Sequence, residues 1–127
     1  MSTNKISAVE ALHNTFFYFA EGLTVMASDA TKQRELIGGA HVAWELQNDV
    51  KDFGETLLNC AGPFFLQSER TGIVSLLDKI KKLPPDALRS DDKALIHPQW
   101  EALRIEAAHL LLQLARPIVE NQAFFNK

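Results

Sequence analysis

The stretch PQWEALRIEAAHLLLQLARP, residues 98–117, carries apolar residues on two faces at once, and how those faces are covered decides the fold. Pro98 suits a first helical position, where its missing N–H would lack an intrahelical partner anyway. Pro117 is expected to bend or end the helix near Arg116. Between the prolines, Trp100, Leu103, Ala107, Leu110 and Leu114, followed by Ile118, recur at three- and four-residue steps and define one apolar direction. A second set, Ile105, Ala108, Leu112, Ala115 and Val119, recurs at the same steps but turned by roughly 120° from the first. Only the arc bearing Glu106, His109, Gln113, Arg116 and Glu120 reads as wet. A helix apolar over most of its circumference is buried on several sides. Either this helix is central within the chain or its second stripe meets another molecule.

The same stretch contains EAAH at 106–109, and EALH at 10–13 repeats the pattern near the other end. Glu-x-x-His is the spacing with which two helices of a carboxylate-bridged di-metal bundle supply ligands, so a metal site has to be weighed. Helix geometry argues against it. His109 lies roughly 150° and Glu106 roughly 90° from the main apolar direction of their helix. On the first helix, His13 lies roughly 90° and Glu10 roughly 150° from the direction set by Leu12, Phe16 and Leu23. Neither pair converges on a shared core, Glu45, Asp49 and Asp52 are expected on the outside of the second helix, and the third offers only Glu69 near its start and Asp78 beside its lysines. His41 and His97 lack partners at metal-binding spacing and read as surface or capping residues. No metal and no cofactor are expected.

Working outward, 127 residues at 46% hydrophobic and 23% charged fit one domain over 1–127 with one core. The net charge of -3, from 13 Lys and Arg against 16 Asp and Glu, gives no positive field to attract DNA or RNA. The single cysteine, Cys60, excludes an intramolecular disulfide and reads as a small hydrophobe in an apolar run. The polar opening MSTNKIS lacks a signal-peptide core, and no apolar run approaches the ~20 residues of a membrane span. These features lead us to expect a soluble cytoplasmic protein, without nucleic acid or membrane partners.

Proline and glycine punctuate an otherwise helical pattern. A first helix is expected over residues 5–27, with Ser28 or Asp29 capping the next. A second spans 30–61, its inner stripe Val42, Leu46, Val50, Phe53, Leu57 and Cys60, and ends at Gly62-Pro63. Gly38-Gly39 lies inside it; lacking a preceding strand and a following Lys-Ser/Thr, it is no phosphate loop, and it implies close packing or a kink. A third helix covers 65–83, its last-turn lysines complementing the helix dipole before Pro84-Pro85. Residues 84–97 form the longest irregular segment. Four helices with mostly short connections predict an all-α, up-and-down antiparallel four-helix bundle.

The informative anomaly is surplus apolar surface. FFYF at 16–19 puts aromatics on every face of the first helix, and Ile37 and Trp44 lie opposite the inner stripe of the second, with His41 between them. Three helices with outward apolar residues point to an interface, unless loops and the terminal AFF cover them. Tyr18, Ile37, Trp44, Ile105 and Leu112 are the candidate interface residues. Glu45, Asp49 and Asp52, about one turn apart each, form an acidic face suited to a basic protein partner. No Ser, Thr or Cys has a nearby candidate base, so no catalytic residue is assigned. The expectation is a non-catalytic protein, homodimeric or partner-binding. The alternative class is a metal- or small-ligand-binding bundle with redox or hydrolytic activity, which would lose metal when His13 or His109 becomes Ala.

Overall fold

A computed structural model describes residues 7–39, 41–60, 64–89 and 93–126. Among these the chain forms six α-helices and no strand: α1 (Ala8–Met26), α2 (Ala30–Ile37), α3 (Val42–Leu58), α4 (Gln67–Lys81), α5 (Pro98–Gln113) and α6 (Ala115–Phe125). Two short 3-10 turns, Pro85–Leu88 and Ala94–Ile96, bridge α4 and α5. The predicted start at residue 5, the predicted stop at Gly62-Pro63 and residues 90–92 of the expected irregular segment lie outside the described residues.

Local chemistry sets most helix ends. Ser7 Oγ accepts the Glu10 backbone N–H at 3.1 Å and so caps α1. Of the two candidate caps after α1, Asp29 is the one used, its carboxylate accepting the Lys32 N–H at 2.8 Å. Ser28 instead donates to the Thr24 carbonyl. His97 caps α5 through Nδ1, which accepts the Gln99 N–H at 3.1 Å, with Pro98 at the first helical position.

Two predicted helices are each divided. The expected helix over 30–61 breaks at Gly38 and Gly39, whose φ values of 72° and 81° lie in the left-handed region that glycine adopts without steric cost. The Gly38 N–H closes α2 on the Arg34 carbonyl, and a separate helix begins at Val42. The last helix divides at Leu114, and Pro117 falls in the first turn of α6, where its missing N–H is tolerated. The terminal segment is thereby a helix of its own.

The core explains the arrangement. Phe16, Phe19, Leu23 and Met26 from α1 meet Leu46, Val50 and Leu57 from α3, Ile73, Leu76, Leu77 and Ile80 from α4, and Trp100, Leu103 and Leu110 from α5. Each buried large side chain contributes about 1.5–3 kcal/mol relative to exposure. α1 packs on α3 and α5, and α4 packs on the same two helices. At Gly54 an added Cβ would lie 2.9 Å from Leu77 and 3.0 Å from Phe19, so glycine permits the close approach there. Trp100, fully buried, donates its indole N–H to the Ala87 carbonyl at 2.6 Å and ties the first 3-10 turn to α5.

Beside this core, α2 packs on α1 and α3, and α6 packs on α1 and α5. Gln33, completely buried, donates to the Val25 and Met26 carbonyls and satisfies the C-terminal end of α1. No helix among the described residues is long and apolar enough to cross a membrane.

Candidate functional site

The outer face of α5 is where the surplus apolar surface concentrates. Trp100, Leu103, Ala107, Leu110 and Leu114 point into the core, as their periodicity predicts. Their burial on one side leaves the second stripe outside: on α5 Ile105 is 54% exposed and Leu112 77%, while Val119, 63% exposed, falls past the break at Leu114 on α6. Ala108 on α5 and Ala115 at the start of α6 are exposed too. This helix is therefore not central within the chain, and its second stripe is uncovered.

Two open grooves flank that stripe. One, of about 1040 Å³, runs between α4 and α5 and is lined by Ile105, Leu112, Gly72, Glu106 and Lys79 among others. The other, of about 680 Å³, lies between α5 and the α1–α2 corner and includes Ile96, Ile105 and Ala108. Ile105 borders both, so the stripe stands as a ridge between two depressions.

The polar residues of the larger groove are engaged with one another. Glu106 accepts hydrogen bonds from Ser75 at 2.9 Å and from Lys79, both on α4. Burial pushes its carboxyl up, but the hydrogen bonds from Lys79 and Ser75 and the charges of Lys79 and His109 outweigh that and hold it below the ordinary carboxylate value. The wet arc expected of α5 is thus partly a bridge to α4. The local pair anticipated from spacing, Arg116 with Glu120 at 2.6 Å, forms past the break at Leu114, on α6.

The other candidate residues lie elsewhere. Tyr18, 53% exposed on α1, stacks on Phe53 with ring centroids 5.7 Å apart and borders a smaller cleft of about 420 Å³ with Phe17 and Phe125. The terminal AFF covers part of α1, since Phe125 meets Phe17 edge-on, yet Phe17 and Tyr18 stay exposed. Trp44 is 50% exposed on α3. Ile37 differs from the rest: it is half-buried and packs against the core. The outward patch drawn through Ile37 and Trp44 assumed one continuous helix, and the break at Gly38 and Gly39 removes that premise.

Glu45, Asp49 and Asp52 are all exposed on one side of α3. Burial, then the neighbouring charges of Glu45 and Asp52, push the Asp49 carboxyl above its ordinary value. The three carboxylates therefore act on one another as a patch of concentrated negative charge.

Neither Glu-x-x-His pair faces the other. His13 is half-buried, donates from Nδ1 to Asn121 Oδ1 at 2.6 Å and stacks on Phe124 at 3.8 Å, latching α6 to α1. His109 is exposed at the α4–α5 groove. Among the described residues, no group of three His, Cys, Asp or Glu could hold a metal ion.

One cluster escaped the sequence reading. Glu69, 4% exposed, accepts the Leu66 N–H at 2.7 Å and the Arg116 guanidinium at 2.6 Å. Arg116 donates further to the Phe64 carbonyl and to Glu120, so one buried carboxylate ties α6 to the start of α4. The hydrogen bond from Glu69 is the first cause of a raised Arg116 pKa, opposed by desolvation and aided by Glu120. The observed helix starts at Gln67, two residues later than the sequence predicts, and that start puts Glu69 at the third helical position, from which a glutamate reaches back to cap the backbone.

Compared with protein-family models, curated protein sequences and solved structures, the chain matches none.

Proposed function

We propose that the chain is a non-catalytic cytoplasmic protein that works by protein–protein association. It self-associates as a homodimer through the outer face of α5, and the acidic face of α3 receives a basic protein partner. In this reading residues 1–127 are one domain, with α1, α3, α4 and α5 as an up-and-down antiparallel four-helix bundle and α2 and α6 packed beside it. The cyclic packing of those four helices supports the bundle. A lone cysteine, with no disulfide partner, suits the cytoplasm.

The observation that carries the reading is Leu112, a large aliphatic side chain left 77% exposed on the side of α5 that also exposes Ile105 and Ala108. Lone exposed apolar residues need no explanation, but a continuous ridge of them costs solubility unless a partner covers it. Mutual repulsion around Asp49 supports the second part, since a basic partner would relieve it.

Light scattering across a dilution series tests the reading. The parent protein is expected to be a dimer that dissociates on dilution. Leu112→Glu removes about 1.5–3 kcal/mol of burial on each side of a symmetric contact, weakening the dimer by roughly 10² to 10⁴-fold. A parent that stays monomeric at every concentration refutes self-association.

A further inference from the structure

We infer that the cleft between α1 and α6 binds a small uncharged molecule that carries an aromatic ring and a carbonyl oxygen. The cleft shares no lining residue with the two grooves beside α5, so the inference does not depend on self-association. The two helices run side by side in the same direction, since His13 meets Asn121 and Phe17 meets Phe125, four residues further along each.

Asn121 carries the argument. It is only 4% exposed and yet lines the cleft. Its Oδ1 accepts from His13 Nδ1 at 2.6 Å, and His13 is not part of the lining. With the oxygen held there, Nδ2 is the polar end left to the cleft, and it donates to no group among the described residues. A donor so nearly removed from water is costly to leave unpaired. A molecule that fills the cleft and shuts out the remaining water must therefore bring an acceptor, and a carbonyl oxygen meets that need.

The walls specify the rest of the ligand. Phe17, Tyr18 and Phe125 are all exposed and form one run of rings, Tyr18 edge-on to Phe17 at 5.4 Å and Phe17 edge-on to Phe125 at 6.0 Å. A planar guest continues that edge-to-face series. No lining residue is charged; the polar groups are the amides of three asparagines and a glutamine and the tyrosine hydroxyl. An ion would shed its hydration there without gaining an ion partner, so the lining selects a neutral ligand. At about 420 Å³ the cleft falls within the ~300–1,000 Å³ of small-molecule pockets and has room for a small ring system.

Acetophenone is the probe, since it has the ring and the carbonyl acceptor but no donor and no charge; acetone lacks the ring, and benzoate is charged. Each is titrated into the isotope-labelled full chain, with the side-chain amide signals of Asn14 and Asn121 followed by NMR. Acetophenone should shift both saturably, with a Kd of about 1–10 mM, ordinary for so small a ligand. Acetone and benzoate should bind at least about tenfold more weakly. Asn121→Asp keeps the oxygen that faces His13 but replaces the donor with an acceptor, and Tyr18→Ala removes an exposed ring; each should weaken acetophenone binding about tenfold. Tyr18 lies on the surface, so that variant remains decisive if Asn121→Asp fails to fold. Shifts that do not saturate, that fall on α5 instead, or that persist unchanged in Tyr18→Ala overturn the inference, as does benzoate binding as tightly as acetophenone. Shifts of the same amides on diluting the protein alone would place a second copy in the cleft, which overturns the inference while supporting self-association.

Discussion

Replacing Glu69 by alanine should destabilise the protein by about 2–3 kcal/mol, more than any exposed carboxylate would. Glu69 Oε1 receives the Leu66 N–H at 2.7 Å and Arg116 Nη2 at 2.6 Å, and the side chain is only 6% exposed. A hydrogen bond to a charged group is worth about 1.5–3 kcal/mol, and loss of a helix cap about 1 kcal/mol. Arg116 is 39% exposed, so water screens its half of the pair and the ion-pair share is set at about 1 kcal/mol. Urea denaturation at pH 7 and one fixed protein concentration is the assay. With a slope near 2 kcal/mol/M, the midpoint should fall by about 1–1.5 M. Glu69→Gln retains a carbonyl acceptor and should lose about 1 kcal/mol. A double-mutant cycle with Arg116→Ala should give a coupling of about 1 kcal/mol. A midpoint within about 0.3 M of the parent for Glu69→Ala, together with additive single mutants, would refute the reasoning.

Two further outcomes are expected. Gly38→Ala should cost about 1 kcal/mol, because φ is 72° and an added Cβ meets nothing within 4 Å, leaving backbone strain as the sole effect. One continuous helix over 30–61 would reverse the sign, since alanine is then favoured by about 1 kcal/mol, so a raised melting temperature would contradict the break. Asp49→Asn should raise the melting temperature at pH 7. The Asp49 pKa is raised in the folded protein, so its ionised form opposes folding above that pKa, and the penalty vanishes below the unfolded value near 3.8. The gain should therefore shrink to nothing in acid, and a lowered melting temperature at pH 7 would show that the acidic face is not self-repelling.

The readable parts of this fold are those set within a turn or two of chain. The stripe through Trp100, Leu103, Ala107 and Leu110 was visible because burial on one side imposes a 3.6-residue period. The caps at Asp29 and His97 were visible because a side chain one to three residues away satisfies the free N–H. At Gly38 and Gly39 a kink could be read but not the full break, because a glycine costs a helix only about 1 kcal/mol, which tertiary packing easily outweighs. What settles it is Gln33, whose buried amide anchors α2 beneath the end of α1, while α3 packs along α1 and α4.

At the candidate site the division is the same. Exposure of Tyr18, Trp44, Ile105 and Leu112 could be anticipated, since each stands off the stripe that its own helix buries. Ile37 could not be placed, because its direction relative to α3 depends on the φ change that begins at the next residue, Gly38. Helical character, the inward stripes and the surplus apolar face of α5 follow from sequence alone, being consequences of periodicity along a single helix. The burial of Glu69 beneath Arg116, the latch of His13 on Asn121 and the bridge from Glu106 to Lys79 belong to the tertiary structure, because each joins residues at least 27 positions apart that only helix packing brings within hydrogen-bond range.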